Sequence, residues 1–447
     1  MTEKNKITII GSGLAGSFLA VLLAQKGYAV TIYERLSQEE IRDAATKRSY
    51  NIVLFGYGIE MLKKAHLWEI IKPHLLYLKG TVTHIANNKN PVIAITDQKI
   101  PYFTITRAKL ADIFLQQAMS HPSIAVHFDT ALISINRYEK TIVTQNTKTK
   151  KVENVVTDVV IGADGANSLV RTFIQLGLET NHRQEYADWI YKQFVLSEAM
   201  VQKLDLEKQF VHVWTQKNAF IILHPVSDGS LAALFVFPKK DKQEMQSKTT
   251  ISSFFQQNFP DLLPALSEIT PFLLDSADGN FATIHTNPWY YKNFMAIIGD
   301  AAHGFYPFFG QGASAAFGDC MTLSNLIDTY GADWEKIFPL YQEARKKHTD
   351  TLGELSKDVL KKYLRYKKAD YTAIYDTLES SLYNLFPKLL HAPLFQGIIT
   401  DPEHANDHWK NHLKQRKIAK WVGISLAVGL LTGIMGSIEK TKKHNKA

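Results

Sequence analysis

Two glycine-bearing stretches at opposite ends of the chain hold residue types that could do chemistry. Near the amino terminus, "KITIIGSGLAGSFLAVLLAQKGYAVTIYER" spaces Gly11, Gly13 and Gly16 as GxGxxG, and an acid, Glu34, follows 18 residues after Gly16. In a strand–turn–helix unit the first glycine permits the tight turn. The second lets backbone approach a pyrophosphate, the third allows close helix–strand packing, and the acid stands where a ribose hydroxyl is bound. The second stretch, "GDAAHGFYPFFGQGASAAFGDC", sets Asp300 before an apolar run, Pro307–Phe308–Phe309, and then brings Gly310 and Gly312 to the start of a helix. A helix N-terminus reached through glycines offers unblocked N–H groups to an anionic edge.

The elements that must position these residues are legible around them. Ile7–Ile10 is a β-branched run, read as a buried strand, and "AVTIYE" is a second strand ending at Glu34. "VVIGADGANSLVR" reads as an apolar strand, then Asp164–Gly165 and a helix start; "FMAIIGD" is a strand ending at Asp300. Between about 180 and 285, "FVHVW", "AFIILHP" and "LAALFVFP" alternate as a β-sheet should. "DWEKIFPLYQEARKKHTDTLGELSKDVLKKYLRYKK" and "LESSLYNLFPKLLHAPLF" have helical character.

Bulk composition narrows the functional classes. The chain has 447 residues, 45% hydrophobic and 21% charged, and its one cysteine, Cys320, excludes an internal disulfide framework. The net charge of +8 comes from residues 410–447, where nine Lys or Arg face one acid, Glu439; residues 1–409 are formally neutral, which argues against nucleic acid as a partner. The basic residues flank "WVGISLAVGLLTGIMGSI", Trp421–Ile438. As a helix this run spans ~27 Å, enough for a bilayer core, so a C-terminal membrane helix anchoring a cytoplasmic catalytic domain is expected. No HExxH, GxSxG, CxxC or P-loop pattern occurs, and neither His212 nor His303 has a partner at ligand spacing; both read as structural, and no metal is expected.

Taken together, "RSYN" (Arg48–Asn51), "TITRAKL" (Thr104–Leu110), "VVIGADGANSLVR" and the Asp300 stretch resemble the FAD-dependent aromatic hydroxylases, the single-component flavin monooxygenases. Within that family, "FVHVW", "FFQQNFPDLLP" and "PFFGQG" are similar to stretches of the kynurenine 3-monooxygenases. The resemblance implies an α/β fold. Its Rossmann-like FAD-binding domain comprises residues 1–178 and 287–330, interrupted by a β-sheet substrate domain at 179–286. A helical region at 331–405 and a basic tail at 406–447, carrying the membrane helix 421–438, follow.

The resemblance also implies the site. Gly11, Gly13, Ala15 and Gly16 meet the FAD pyrophosphate, and Glu34 and Arg35 the adenosine ribose. Arg107 and Leu132 sit near the cofactor, Asp300 on its ribityl chain, and Gly310, Gly312, Ala313 and Ser314 at the flavin ring; Asp164 and Gly165 border the approach of NADPH or NADH, for which no second Rossmann motif exists. The implied reaction hydroxylates a small aromatic substrate with O2 through a flavin C4a-hydroperoxide. No side chain is assigned as nucleophile or general base. Thr81, His212, Trp214, Pro307, Phe308 and Phe309 are the candidate pocket residues, with Phe220 and Phe235 beside them.

One departure from the kynurenine 3-monooxygenase pattern bears on the substrate. Where that group places a carboxylate-binding Arg and Tyr, this chain has Thr81 and Ile95, and its C-terminal polar positions fall near Val359 and Pro402. Threonine cannot replace a bidentate guanidinium clamp; Lys79 or a shifted Tyr102 are the nearby polar substitutes. A related indole or other aromatic is therefore expected rather than kynurenine. Two other readings stay open on the same scaffold: a flavin halogenase, epoxidase or prenyl reductase, the halogenase WxWxIP pattern being absent, and a non-catalytic FAD-binding membrane protein.

Overall fold

The computed structural model describes residues 6–47, 50–85, 91–95, 102–216, 218–365 and 379–418. The chain divides into two compact units, Met1–Lys367 and Lys368–Ala447. Among the described residues no helix is long and apolar enough to cross a membrane, and the run Trp421–Ile438 lies outside them.

The first unit is built on a six-stranded sheet in the order Tyr290–Tyr291, Met295–Ile297, Val159–Gly162, Lys6–Ile10, Ala29–Tyr33, Ile124–His127. All its pairings are parallel except that of the short edge strand Tyr290–Tyr291. Helix Leu14–Gln25 connects the first two strands and packs its buried Phe18 against Phe114 and Phe317 from two other helices. The continuous β-branched runs seen in the sequence are these central strands, covered on both faces. Val159–Gly162 and Met295–Ile297, 133 residues apart at their closest, thus lie side by side, so the Asp164 and Asp300 loops leave neighbouring strand ends.

The second sheet has seven strands, ordered Gly279–Asn287, Asn181–Leu196, Leu231–Pro238, Phe220–Pro225, Phe210–Thr215, Gly80–Ile85, Val92–Ile95. Its last two strands come from within the segment expected to be purely cofactor-binding: Gly80–Ile85 joins in parallel to Phe210–Thr215. The seven-stranded sheet therefore takes in residues 80–85 and 92–95 besides strands within 181–287. Similarly, helix Trp334–Arg365 belongs to the first unit rather than to a separate C-terminal region. In the second unit, Glu379 accepts from His412 Nδ1 at 3.0 Å and Gln415 Nε2 at 3.2 Å, tying its helical segments together.

Each face of the seven-stranded sheet has its own core. One packs Trp214, Ile221, Leu223, Phe235 and Phe237 under the helical segment Lys248–Asp275. The other gathers Val211, Val213, Phe220, Ile222 and Val236 against Tyr306 and Phe308. His212 and Trp214 thus lie on the face turned away from Phe308, a correction to their expected place in the pocket, and Phe235 goes with them. "FVHVW" carries bulky residues at both strand parities, so alternation by itself did not reveal which parity faces the site.

His212 is instead part of a ring stack. Its Nδ1 lies 3.0 Å from His84 Nε2, and His84 stacks on Trp214 with centroids 3.9 Å apart and planes within 4°. Burial, reinforced by His212, pushes the His84 pKa down to about 4 from 6.5. The folded chain therefore keeps His84 neutral while the unfolded chain takes up a proton near 6.5. Stability should be full above pH 6.5 and decline as pH falls towards 4, by roughly 3 kcal/mol for this group. Melting curves over that range should show His84→Phe flattening this part of the pH dependence; an unchanged slope would refute the assignment.

Candidate active site

The GxGxxG turn is shaped by two steric constraints and one opening. Gly11 adopts φ +100°, and a Cβ there would stand 2.6 Å from the Ala163 carbonyl oxygen; at Gly16 it would stand 2.0 Å from the Gly11 oxygen. Gly13 is different: no atom lies within 4 Å of its Cβ position, so nothing within the protein demands glycine there. Gly13 is also the N-cap of helix Leu14–Gln25 and supplies no side-chain cap, which leaves the first N–H groups open. Glu34 turns its carboxylate onto this turn, accepting from Ser12 N at 2.9 Å, Ser12 Oγ at 3.0 Å and Leu36 N at 3.0 Å. Arg35 beside it is exposed.

The Asp300 turn is held against the first by a buried ionic network. Gly299 takes a left-handed φ of +59°, and a Cβ there would stand 3.3 Å from the Ala15 Cβ and 3.5 Å from the Ala316 Cβ. Its N–H donates to Asp319 Oδ2 at 2.9 Å. Asp319, fully buried in helix Gly312–Tyr330, also pairs with His303 Nε2 at 2.5 Å and Arg345 Nε at 2.9 Å. Burial alone would raise its pKa, but His303 and Arg345 outweigh that and hold it below the usual carboxylate range. Arg171, also buried, donates to the Ala301 oxygen at 3.0 Å and the Ala166 oxygen at 2.7 Å, joining the Asp164 and Asp300 loops. Asp300 itself is exposed, and its carboxylate accepts no hydrogen bond among the described residues.

Opposite these turns stands Tyr50, whose carbonyl accepts from the N–H of Arg107, the first residue of helix Arg107–Ser120. Burial raises the pKa of the Tyr50 hydroxyl, the charge of Arg107 opposes this and that of Asp300 adds to it. Tyr50 is nonetheless 38% exposed, so it stands at the surface beside Arg107 and Asp300.

The loop at 307–312 closes the arrangement. Gly310 takes a left-handed φ of +65°, with its Cβ position 3.4 Å from Phe55 and 3.5 Å from Val53. Gly312 opens helix Gly312–Tyr330, has nothing within 4 Å of its Cβ position, and follows a Gln311 that gives no side-chain cap. Gln311 Oε1 and Ser314 Oγ are buried and make no hydrogen bond. Uncapped helix ends, open glycines and orphaned polar atoms on facing turns fit a large polar cofactor with a phosphate-rich half and a hydrogen-bonding ring.

Several expected site residues have other duties. Asp164 spends its carboxylate on helix Leu169–Gln175, accepting from Leu169 N at 2.7 Å, Val170 N at 3.2 Å and Ser168 Oγ at 2.5 Å, so its side chain shapes the loop instead of reaching out of it. Gly165 remains open at φ +77°. Leu132 packs into the core of the six-stranded sheet rather than facing the groove. Ala313 packs at the edge of the same core. Phe309 is buried and Pro307 exposed, whereas Phe308 meets Phe281 and Phe220 at centroid distances of 5.1 and 5.6 Å. Thr81, paired with Val211, sits on the Phe308 face. Val359 borders that same cluster, Tyr102 stacks on Phe55, and Lys79 is exposed. Asp319, Arg171, Arg345 and Tyr50 were missed by sequence reasoning. Asp319 and Arg171 lie inside recognised motifs, but isolated charges carry no local sign of which partners they meet.

Comparison with known proteins agrees with this geometry. A family model described as an FAD binding domain matches residues 4–352. The chain belongs to the FAD-dependent aromatic hydroxylase family. Kynurenine 3-monooxygenase of Salinispora tropica is 30% identical over 79% of each chain, and that of Legionella pneumophila 32% identical over the same shares. Among solved structures, 2-methyl-3-hydroxypyridine-5-carboxylic acid oxygenase superimposes with a TM-score of 0.69 at 20% identity, covering 83% of this chain and 94% of that one. Pseudomonas aeruginosa PqsL in complex with 2-aminobenzoylacetate gives 0.64 at 17%, covering 81% and 97%. In this hydroxylase the Asp319 network should be structural and indispensable. Asp319→Ala leaves Arg345 buried without its counter-charge and His303 without its hydrogen-bond partner, a loss of about 3–5 kcal/mol that chemical denaturation would register. A loss below ~1 kcal/mol would show that the network carries no such weight.

Proposed function

We propose that this FAD-dependent monooxygenase uses NADPH and O2 to hydroxylate a small aromatic ring lying on the Phe308 face of the seven-stranded sheet. The observation that carries the reading is the pair of open glycines, Gly13 and Gly312, at two uncapped helix N-termini held together through Gly299. FAD, when bound, supplies the redox chemistry that joins NADPH oxidation to oxygen transfer. The chain's own residues do the rest. The Gly13 turn and Glu34 would hold the adenosine half, Asp300 and Arg107 the middle, and the N–H groups from Gly312 to Ser314 the ring, where the helix end favours negative charge. Phe308, Phe309 and Phe220 keep water away from the reacting atoms and orient the substrate ring.

The substrate is proposed to lack the carboxylate contact implied for kynurenine, because Thr81 stands on the pocket face without a guanidinium. The purified protein should be yellow, and NADPH oxidation should rise when tryptophan-derived or phenolic compounds are added, with an oxygenated product by mass. Kynurenine should perform poorly in that panel; efficient coupled turnover on it would overturn the substrate reading. Gly13→Ala should fold normally, since a Cβ there meets no protein atom within 4 Å, yet retain at least about tenfold less FAD by absorbance. A colourless wild-type protein that refuses added FAD would end the whole account.

An anchoring role for Trp421–Ile438 rests on its apolar composition and basic flanks. Cell fractionation should find the full chain with membranes and a chain ending at residue 418 released from them; identical partitioning of the two would dispose of the anchor.

A further inference from the structure

On the Phe308 face of the seven-stranded sheet, a few polar side chains, among them Thr81, Gln193 and His224, interrupt a largely apolar surface. His224 alternates with Phe220 and Ile222 on strand Phe220–Pro225, and those two belong to the cluster around Phe308. The pairing of His212 with Leu223 sets Val211 beside His224, and Thr81 pairs with Val211 in turn. Thr81 and His224 are therefore two strand spacings apart on one face, ~10 Å, about the span of a single substituted aromatic ring. On its other side His224 pairs with Ala232.

His224 Nδ1 is buried and makes no hydrogen bond. Burial pushes its pKa down to about 4, so the ring is neutral at ordinary pH and keeps one nitrogen as an acceptor. The next residue leads towards the cofactor groove: the Pro225 carbonyl accepts from Asn51 Nδ2 at 2.7 Å, and Asn51 Oδ1 is a second buried atom without a partner. Asn51 begins strand Asn51–Leu54, directly after Tyr50, and Val53 of that strand packs under Gly310. A buried polar atom left unmet costs about 1–3 kcal/mol, and two of them at one junction between sheet and groove mark a place where a ligand supplies the missing partner.

We propose that His224 is a specificity-determining residue that hydrogen-bonds a donor on the substrate ring, selecting arenes that carry a phenolic O–H or a ring-bound N–H. This rests on the monooxygenase reading and deepens it. It also accounts for how a pocket without the guanidinium clamp could recognise its substrate: through the ring substituent, by a neutral acceptor, instead of through a remote carboxylate.

The test uses the FAD-loaded enzyme and matched probes: 4-methylphenol against 4-methylanisole, and 3-methylaniline against its N,N-dimethyl derivative. Binding is read from the change in the bound flavin's absorbance, and turnover from NADPH oxidation. In the wild type the donor-bearing probe should bind at least about tenfold tighter than its methylated partner. In His224→Leu that ratio should fall below about threefold, while His224→Gln, which keeps an acceptor, should retain part of it. FAD content and melting temperature report whether each variant is folded; should the leucine variant not fold, the glutamine variant is compared with His224→Met. Undiminished discrimination in a folded variant without an acceptor would overturn the assignment and leave the monooxygenase reading standing. Equal wild-type affinities within both probe pairs would overturn it too, pointing to an ordered water on Nδ1. If no aromatic perturbs the flavin or NADPH oxidation, the monooxygenase reading falls, and this assignment with it.

Discussion

The groove depends on one buried carboxylate. Asp319 receives the Gly299 N–H, the His303 imidazole and the Arg345 guanidinium, and it is wholly removed from water. In such surroundings an ion persists only when its lone pairs are met by donors of fixed geometry. The requirement works in both directions. The carboxylate needs its partners, and meeting them fixes the Gly299 turn, helix Gly312–Tyr330 and helix Trp334–Arg365 relative to one another. Arg345 adds a bond to the Ala315 oxygen at 3.0 Å, and Arg171 extends the tie to the Asp164 loop. Asp300 can face the groove without an internal partner because the atoms around it are held elsewhere.

A division of labour across the seven-stranded sheet follows the same logic. One face is sealed by helices and phenylalanines and accommodates even the His84–His212 pair as a neutral stack on Trp214. The other carries the aromatic wall with Phe308 and one unmet imidazole. A hydroxylase of this kind needs its reacting atoms dry and its ring substrate oriented. An apolar surface with sparse polar interruptions meets both needs, and the position of those interruptions decides which ring fits. Thr81 and His224 are two such interruptions on the Phe308 face.

The cofactor half of the protein was legible in the sequence because its determinants are local. A GxGxxG turn, the strand before it and the helix after it are neighbours in the chain, and the glycines at 11 and 16 answer to clashes within about one turn of backbone or with the adjoining strand end. The glycines at 310 and 312 likewise announce a left-handed turn and a helix start. Less was legible in the seven-stranded sheet. Strand existence and alternation could be read from "FVHVW" and "AFIILHP", but the facing of each strand depends on which side helices cover, and that is a contact between distant segments. The mistaken placement of His212 and Trp214, and the recruitment of residues 80–85 and 92–95 into the sheet, both arise there.

By itself the sequence determined the dinucleotide turn, the Asp300 loop, the order of strands and helices around them and the family. Each is written in residues adjacent along the chain, where spacing and backbone preference act directly. Only the tertiary structure decided that Asp319, Arg171 and Arg345 bind the loops together, that Asp164 turns inward, and that His224 rather than His212 lies on the Phe308 face. Those outcomes depend on burial and on pairings between residues up to 130 positions apart, and the desolvation that makes such pairings obligatory exists only once the chain has closed around them.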